Sequence, residues 1–186
     1  LPDVTERLPM RYVPYNGPGT MPQWLLDEPE RPRVCVVWGN SPRRMVGASA
    51  FALPQIVRAL AGLDVEVVLA AGPADAAELG ELPSQVRLLE NFPLQQLLPG
   101  CSAVIHHGGA GAVMTALAAG VPQLVVPHAM DQFTNAERVA ACGAGLGIRG
   151  YEITVDGVRD AVLRLLREES FAACARRLRQ ENDRLP

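Results

Sequence analysis

The chain has 186 residues, of which 48% are hydrophobic, and its formal net charge is −3 at pH 7. This length suits one large domain or one and a half small ones, and the apolar fraction is that of a protein with a sizeable core. The small negative charge argues against a general nucleic-acid-binding surface, and the sequence holds neither a signal peptide nor an apolar run of membrane length.

Residues 1–32 are predicted to form a linker that lies along a surface. Prolines and glycines recur throughout this stretch, and their density forbids long helices and favours extended or turn structure. Trp24, Leu25 and Leu26 are expected to anchor the linker, with help from Tyr12 and Tyr15. Residues 33–186 then hold a regular alternation of strands and helices.

Short apolar runs and longer helical segments alternate along the rest of the chain. The runs predict strands at residues 34–37, 65–70, 86–89, 103–105, 124–126 and 146–148. Helices are predicted at about 49–62, where Pro54 is tolerated near the first turn, and at 73–79, 94–98, 110–119, 131–142, 155–167 and 171–183. Strands alternating with helices of this length predict an α/β domain, a Rossmann-like parallel sheet flanked by helices.

Capping residues are predicted at several helix ends. Gly120 and Gly143 follow two of the helices and are interpreted as their stops. Thr134-x-x-Glu137 resembles a capping box, and Ser170 is the predicted N-cap of the last helix.

Four turns follow predicted strands and carry most of the polar residues that come after apolar runs. They lie at residues 39–41, 91–93, 106–111 and 127–132. Because ligands of parallel sheets bind outside the carboxyl ends of the strands, we expect these turns to line one crevice.

The turn after the fourth strand is the best candidate for a ligand site. Gly108, Gly109 and Gly111 follow the strand directly and lead into a helix. A helix N-terminus presents free backbone N–H groups and a positive dipole end, which suit a phosphate or pyrophosphate. His107 lies beside these amides, where a ring N–H could donate to a phosphate oxygen. The alternative is a tight turn with two ordinary histidines.

The sequence lacks the motifs that several other classes of ligand site require. Gly109-Ala110-Gly111 could begin a dinucleotide fingerprint, but Met114 stands where the third glycine should pack, and Asp131 comes four residues past a strand end. The sequence has no P-loop, no nucleophile elbow and no D-x-D pattern for a divalent ion. The four cysteines have no metal-ligand spacing, which favours reduced thiols in a cytoplasm.

The residues of this region resemble the donor-binding half of GT-B glycosyltransferases. The resemblance rests on the run 106–111, on Gly120-Val121-Pro122-Gln123 and on Asp131-Gln132. More narrowly, it points to the bacterial enzymes that glycosylate antibiotics and other natural products. Residues 11–18 and Trp24-Leu25 resemble the interdomain linker of members that move deoxysugars onto polyketides. The similarity covers essentially the whole chain.

The resemblance implies a role for each matching position. The diphosphate would be held by Ser41, His107 and the amides of Gly109, Ala110, Gly111 and Ala112. Asn91, Phe92 and Thr115 would contact the base and ribose, and Asn40, Asp131 and Gln132 the sugar. Three positions depart from the pattern: Ala112 replaces a hydroxyl residue, Asn91 an aromatic ring, and Thr115 an acidic residue that holds the ribose.

The resemblance also implies an activity. It is the metal-independent transfer of a deoxysugar from a nucleotide diphosphate, with TDP favoured by the linker, to a polyketide or other natural-product acceptor. In the family, an N-terminal domain binds the acceptor and supplies the catalytic base. We expect that domain to be absent before Leu1, so we predict no catalytic residue in this chain, which should bind donor without turning it over.

No cofactor, nucleic acid or membrane is expected as a partner, whereas a homodimer or an activator protein is left open. Two other functions also stay open at this point. A sugar-nucleotide epimerase of the same architecture would need carboxylates in the cleft, where Asp131 and Glu90 are the candidates. A non-catalytic nucleotide-sugar-binding module would need none.

Overall fold

The fold is organised around one parallel sheet. The computed structural model describes residues 8–38 and 52–186. In it, the strands are β1 (Arg33–Trp38), β2 (Glu66–Ala71), β3 (Val86–Glu90), β4 (Ala103–His106), β5 (Gln123–Val125) and β6 (Gly145–Gly147). They pair in the order β3-β2-β1-β4-β5-β6, all parallel. The predicted Rossmann-like sheet is confirmed, and no strand end differs from its predicted position by more than one residue.

Helices connect and cover these strands. They are α1 (Gln23–Leu26), α2 (Leu53–Ala61), α3 (Pro73–Leu79), α4 (Leu94–Leu97), α5 (Ala110–Ala119), α6 (Asp131–Ala141), α7 (Val155–Arg167) and α8 (Glu169–Asp183). Short 3₁₀ turns lie at Leu98–Gly100 and Gly150–Glu152. The predicted turn at 39–42 and the predicted start of the helix at 49–62 lie outside the described residues.

The period-two alternation of β1 assigns its side chains to the two faces of the sheet. Val34, Val36 and Trp38 pack on one face with α2 and α7, whereas Cys35 packs on the other with residues of α4 and α5. Both faces are therefore covered, as a buried parallel sheet requires. Helix α8 packs along α5.

Two of the predicted caps are wrong. Helix α6 begins at Asp131, so Thr134 lies inside the helix and cannot act as its N-cap. Helix α8 begins at Glu169, which places Ser170 within its first turn. By contrast, Gly120 and Gly143 have φ angles of 72° and 73° and end their helices as predicted.

The N-terminal segment is anchored to the sheet by a buried arginine and a tryptophan. Arg33 is 2% exposed; its Nε donates to Glu66 Oε1 at 3.1 Å, and its Nη1 donates to the Leu25 carbonyl at 3.5 Å. The guanidinium carbons of Arg33 and Arg87 lie 5.6 and 4.6 Å from the centroid of the Trp24 ring. Leu25 is buried as expected, whereas the predicted anchors Leu26 and Tyr15 are 63% and 80% exposed and do not serve as anchors.

Candidate functional site

Three aromatic rings meet where β1, β4 and β5 end. Trp38 is the last residue of β1, and its ring is almost completely buried. Its centroid lies 6.1 Å from that of His107 and 5.7 Å from that of His128, and both contacts are edge-on. Trp38 was not predicted to be a site residue, although an aromatic residue at the carboxyl end of the first strand could have indicated it. These rings form one wall of the crevice predicted at the strand ends.

The turn between β4 and α5 depends on Gly108. This residue has a φ of 92°, and a Cβ atom at its position would lie 2.8 Å from Val125 Cγ1 and 3.1 Å from the Gln132 carbonyl oxygen. Only glycine combines that backbone conformation with so close an approach. The turn therefore packs tightly against the β5–α6 loop, and both loops form a single edge of the site.

Helix α5 presents free amides at its N-terminus. Its first helical hydrogen bond is donated by the Val113 amide to the Gly109 carbonyl at 3.1 Å. The amides of Ala110, Gly111 and Ala112 precede that bond and point out of the helix end. Gly111 is exposed, and a Cβ atom built on it would meet nothing within 4 Å. Because the fold does not need glycine at this position, its open surface suits the close approach of an anion.

The Gly109 amide is engaged differently from its neighbours. It donates to His107 Nδ1 at 3.2 Å, so in this structure it is directed back toward the ring. A backbone N–H can only donate; His107 therefore carries its own proton on Nε2. Burial, with a smaller contribution from His128, lowers the pKa of His107. The result is a neutral imidazole whose Nε2–H is a hydrogen-bond donor beside the helix N-terminus.

The side chain of His106 supports the turn by hydrogen bonding. Its Nδ1 accepts the Gly108 amide at 3.0 Å, and its Nε2 lies 2.9 Å from Gln123 Oε1. Because Nδ1 accepts, Nε2 donates to the glutamine. Complete burial lowers the pKa of His106 to about 4. Within the described residues, the buried Gln123 Nε2 has no acceptor. His106 is thus a structural residue, neutral at physiological pH.

The loop between β5 and α6 is tied together by two amide side chains. Gln132 is 3% exposed, and its Oε1 accepts the amides of His128 and Ala129 at 2.9 and 3.2 Å. Asn135 Nδ2 donates to the Gly108 carbonyl at 2.9 Å and to Asp131 Oδ2 at 3.2 Å. Asp131 itself is exposed in the first turn of α6. Of the residues predicted to hold the sugar, Asp131 is open to a ligand, and the side chain of Gln132 has only its Nε2 available to donate.

His128, at the start of the same loop, is half-buried. Its Nδ1 donates to the Val126 carbonyl at 2.9 Å, which leaves an unprotonated Nε2 in the neutral ring. Burial lowers the pKa of His128. The two histidines at this edge therefore differ in kind, since His107 offers a donor and His128 an acceptor.

The residues predicted to contact the nucleoside fall in different environments. Asn91 and Phe92 follow β3 and line a groove of about 190 Å³ with Trp38 and residues of β2. Thr115 is fully buried; its hydroxyl donates to the Gly111 carbonyl at 2.7 Å and lies 3.3 Å from the Tyr12 hydroxyl. The Thr115 hydroxyl is thus engaged within its own helix and with Tyr12, and the ribose contact implied for it stays a prediction. The predicted residues Asn40 and Ser41 lie outside the described part of the chain.

A larger groove, of about 620 Å³, lies between α6, β6 and α7. Both arginines that line it are engaged in ion pairs, Arg149 with Glu152 and Arg164 with Glu168, so we do not assign it to the site. Residues 8–38 and 52–186 contain no group of three or more potential metal ligands. No helix in those ranges has the length and apolar character needed to cross a bilayer.

Comparison with known protein families gives matches along the chain. The family model described as "Erythromycin biosynthesis protein CIII-like, C-terminal domain" matches residues 54–186, and the N-terminal-domain model of the same family matches residues 1–39. The chain is 46% identical to aklavinone 7-beta-L-rhodosaminyltransferase of Streptomyces galilaeus, over 95% of this chain and 40% of that protein. It is 44% identical to 10-deoxymethynolide desosaminyltransferase of Streptomyces venezuelae, over 92% of this chain and 40% of that protein. The chain thus spans about two fifths of the length of these relatives.

Solved structures of glycosyltransferases have the same fold. The glycosyltransferase VinC in complex with DTDP superposes with a TM-score of 0.85 and 41% identity, over 100% of this chain and 46% of that one. The spinosyn rhamnosyltransferase SpnG complexed with thymidine diphosphate superposes with a TM-score of 0.90 and 35% identity, over 100% of this chain and 50% of that one.

Proposed function

Because the chain belongs to the erythromycin biosynthesis protein CIII-like family, we propose that it is the donor-binding half of an inverting glycosyltransferase. The whole protein would transfer a deoxysugar from a TDP-sugar to a polyketide or other natural-product acceptor. One observation carries the proposal: the free amides of Ala110, Gly111 and Ala112 and the Nε2–H of His107 lie at one helix N-terminus. The relatives named above, all transferases, give no support to the epimerase alternative.

These donors suit the leaving group of sugar transfer. As the bond between the anomeric carbon and the phosphate oxygen breaks, negative charge grows on the diphosphate. Fixed N–H groups directed at that oxygen stabilise the developing charge without having to reorganise. The neutral state of His107 fits this role because its Nε2–H remains a donor at physiological pH. We therefore assign the diphosphate to His107 and the α5 amides, without a metal ion or cofactor.

The remaining parts of the donor are assigned to neighbouring turns. We propose that Asp131, with Gln132 Nε2 and Asn40, binds the sugar hydroxyls. Asp131 is exposed and kept in place by Asn135, which also holds the glycine turn. The base is assigned to the groove at Asn91 and Phe92, which lies at the same edge of the sheet. Ser41 completes the proposed diphosphate contacts.

The acceptor and the catalytic base are assigned to the part of the whole protein that this chain does not cover. We retain residues 1–32 as the proposed linker and residues 33–186 as the donor domain. Cytoplasmic location is part of the proposal, and it is supported by the four free cysteines. Whether a second copy or an activator protein joins the complex is a question for the whole protein.

Calorimetric titration of the chain with thymidine diphosphate tests the assignment. We expect binding by the parent and the loss of most of the affinity in His107→Ala, because the variant lacks the Nε2–H donor and the ring that holds the Gly109 amide. His128→Ala is the matched control, since its ring contributes no donor to the diphosphate. Equal affinity of the His107 variant and the parent would refute the role of that side chain. Appreciable sugar transfer by this chain alone would refute the division of labour.

A further inference from the structure

Tyr12 joins the N-terminal segment to the first turn of α5. Its backbone amide donates to Asn182 Oδ1 at 2.9 Å, and its carbonyl accepts from Asn182 Nδ2 at 3.1 Å. The neighbouring Arg11 amide donates to the Pro186 carbonyl at 2.9 Å. The Tyr12 hydroxyl then lies 3.3 Å from Thr115 Oγ1 and 3.5 Å from the Gly111 carbonyl oxygen. The end of the chain therefore fixes the phenol ring beside the α5 amides.

The oxygen of the Tyr12 hydroxyl can still accept a hydrogen bond. The Thr115 hydroxyl has one proton, and it is donated to the Gly111 carbonyl at 2.7 Å. The single proton of the Tyr12 hydroxyl is consequently donated to Thr115 Oγ1 or to the Gly111 carbonyl, and either arrangement leaves the lone pairs of its oxygen free to accept. Because Tyr12 is only half-buried, a ligand can reach that oxygen.

The same segment spans the distance between the two turns assigned to the donor. After Tyr12 it reaches α4, where the Asn16 amide donates to Gln95 Oε1 at 3.1 Å and Gln95 Nε2 donates to the Gly17 carbonyl at 3.3 Å. Helix α4 follows directly on the turn at Phe92. The segment from Tyr12 to Gly17 thus connects the first turns of α5 with the helix that follows the proposed base groove. In a nucleoside diphosphate, the group between the base and the phosphates is the pentose.

We propose, on the basis of the function proposed above, that the Tyr12 phenolic oxygen accepts a hydrogen bond from the 3′-hydroxyl of the donor's deoxyribose. The contact would take the place of the one implied for Thr115, whose side chain is fully buried. A single accepting oxygen matches a pentose that carries a single free hydroxyl, which is the case in thymidine diphosphate. Tyr12 would then be a specificity-determining residue that the N-terminal segment contributes to the donor site.

A ligand-by-variant comparison tests this assignment. Calorimetric titrations of the parent and Tyr12→Phe would use thymidine diphosphate, 3′-deoxythymidine diphosphate and inorganic pyrophosphate. We expect Tyr12→Phe to bind thymidine diphosphate about three- to tenfold more weakly, the range for one hydrogen bond. Both proteins should bind the 3′-deoxy compound equally, and likewise pyrophosphate. Tyr15→Phe, which alters an exposed ring on the same segment, is the matched control and should bind as the parent does.

The other possible results of these titrations distinguish failure of the proposed function from failure of the Tyr12 assignment. If the parent fails to bind thymidine diphosphate, the proposed function fails, and the Tyr12 assignment fails with it. If the parent binds it and Tyr12→Phe binds it equally well, only the Tyr12 assignment is overturned. If Tyr12→Phe weakens pyrophosphate and thymidine diphosphate to the same extent, Tyr12 acts by holding the first turn of α5, and the pentose contact is refuted.

Discussion

Replacing Gly111 by alanine should change stability and donor binding in opposite directions. Gly111 is the second residue of α5, and a Cβ atom there would meet nothing within 4 Å. Glycine is less favourable than alanine in a helix by about 1 kcal/mol. Because the added methyl group encounters no protein atom, Gly111→Ala should raise the free energy of unfolding by up to about 1 kcal/mol.

The same methyl group would stand on the surface from which a diphosphate reaches the amides of Ala110, Gly111 and Ala112. Displacing the anion enough to lose one charge-assisted hydrogen bond costs about 1.5–3 kcal/mol, or roughly ten- to a hundredfold in affinity. Urea unfolding would measure the first effect and calorimetric titration with thymidine diphosphate the second. A stabilised protein that binds its donor poorly is the expected result.

Gly108→Ala serves as the contrasting variant in the same turn. Its φ of 92° and the 2.8 Å approach to Val125 Cγ1 predict a loss of about 1–3 kcal/mol of stability, accompanied by weaker binding. The reasoning about the open face of α5 would be refuted by a Gly111→Ala protein that binds thymidine diphosphate as tightly as the parent. Binding would then occur away from the helix N-terminus.

Three further predictions concern stability. As the pH falls from 6.5 to 4, about 3 kcal/mol of stability should be lost, because His106 has a pKa of about 4 when folded and the unfolded chain takes up the proton first. Urea unfolding across this range should show that the free energy of unfolding of His106→Gln depends less steeply on pH than that of the parent. An equally steep dependence in the two proteins would contradict the assignment. Met130→Gly should stabilise the chain by about 1 kcal/mol in thermal unfolding, since Met130 is exposed and has a φ of 53°; a lower midpoint would argue against strain there. Thr154→Ala should lower stability by about 1 kcal/mol in the same assay, because its hydroxyl accepts the Gly157 amide at the start of α7, whereas donor affinity should not change.

The strands were predictable because each is an apolar run ended by polar or turn residues. The start of α6 was predicted correctly, but its cap was not, since Thr134 and Glu137 form a convincing local pattern inside the helix. At the observed start, Gln132 instead takes up the amides of the preceding loop. That interaction involves a buried side chain folding back on its own loop, and spacing alone does not reveal it.

The candidate site was predictable only where its chemistry is local. The free amides of α5 follow from a strand, a glycine turn and a helix in succession. The roles of Trp38 and Tyr12 do not follow from the local sequence, because each residue reaches the site through tertiary contacts. Trp38 does so across the sheet, and Tyr12 does so from the N-terminal segment. Two adjacent histidines also gave no sign that His106 would support the turn from a fully buried position, whereas His107 would offer a hydrogen-bond donor beside the helix N-terminus.

Backbone strain collects at the same edge of the sheet as the free amides. Among the described residues, two that are not glycine have a positive φ, Asn91 at 51° and Met130 at 53°, and both follow strands at their carboxyl ends. Gly108 has its φ of 92° in the turn between them. Such conformations persist where surrounding contacts hold them, as Asn135 and Gln132 do here. The edge is therefore held in a conformation that the chain would not adopt for stability alone. Gly111 is not among these positive-φ residues. Gly111→Ala is expected to separate folding from donor binding because its methyl group would favour the helix while standing on the surface that the diphosphate approaches.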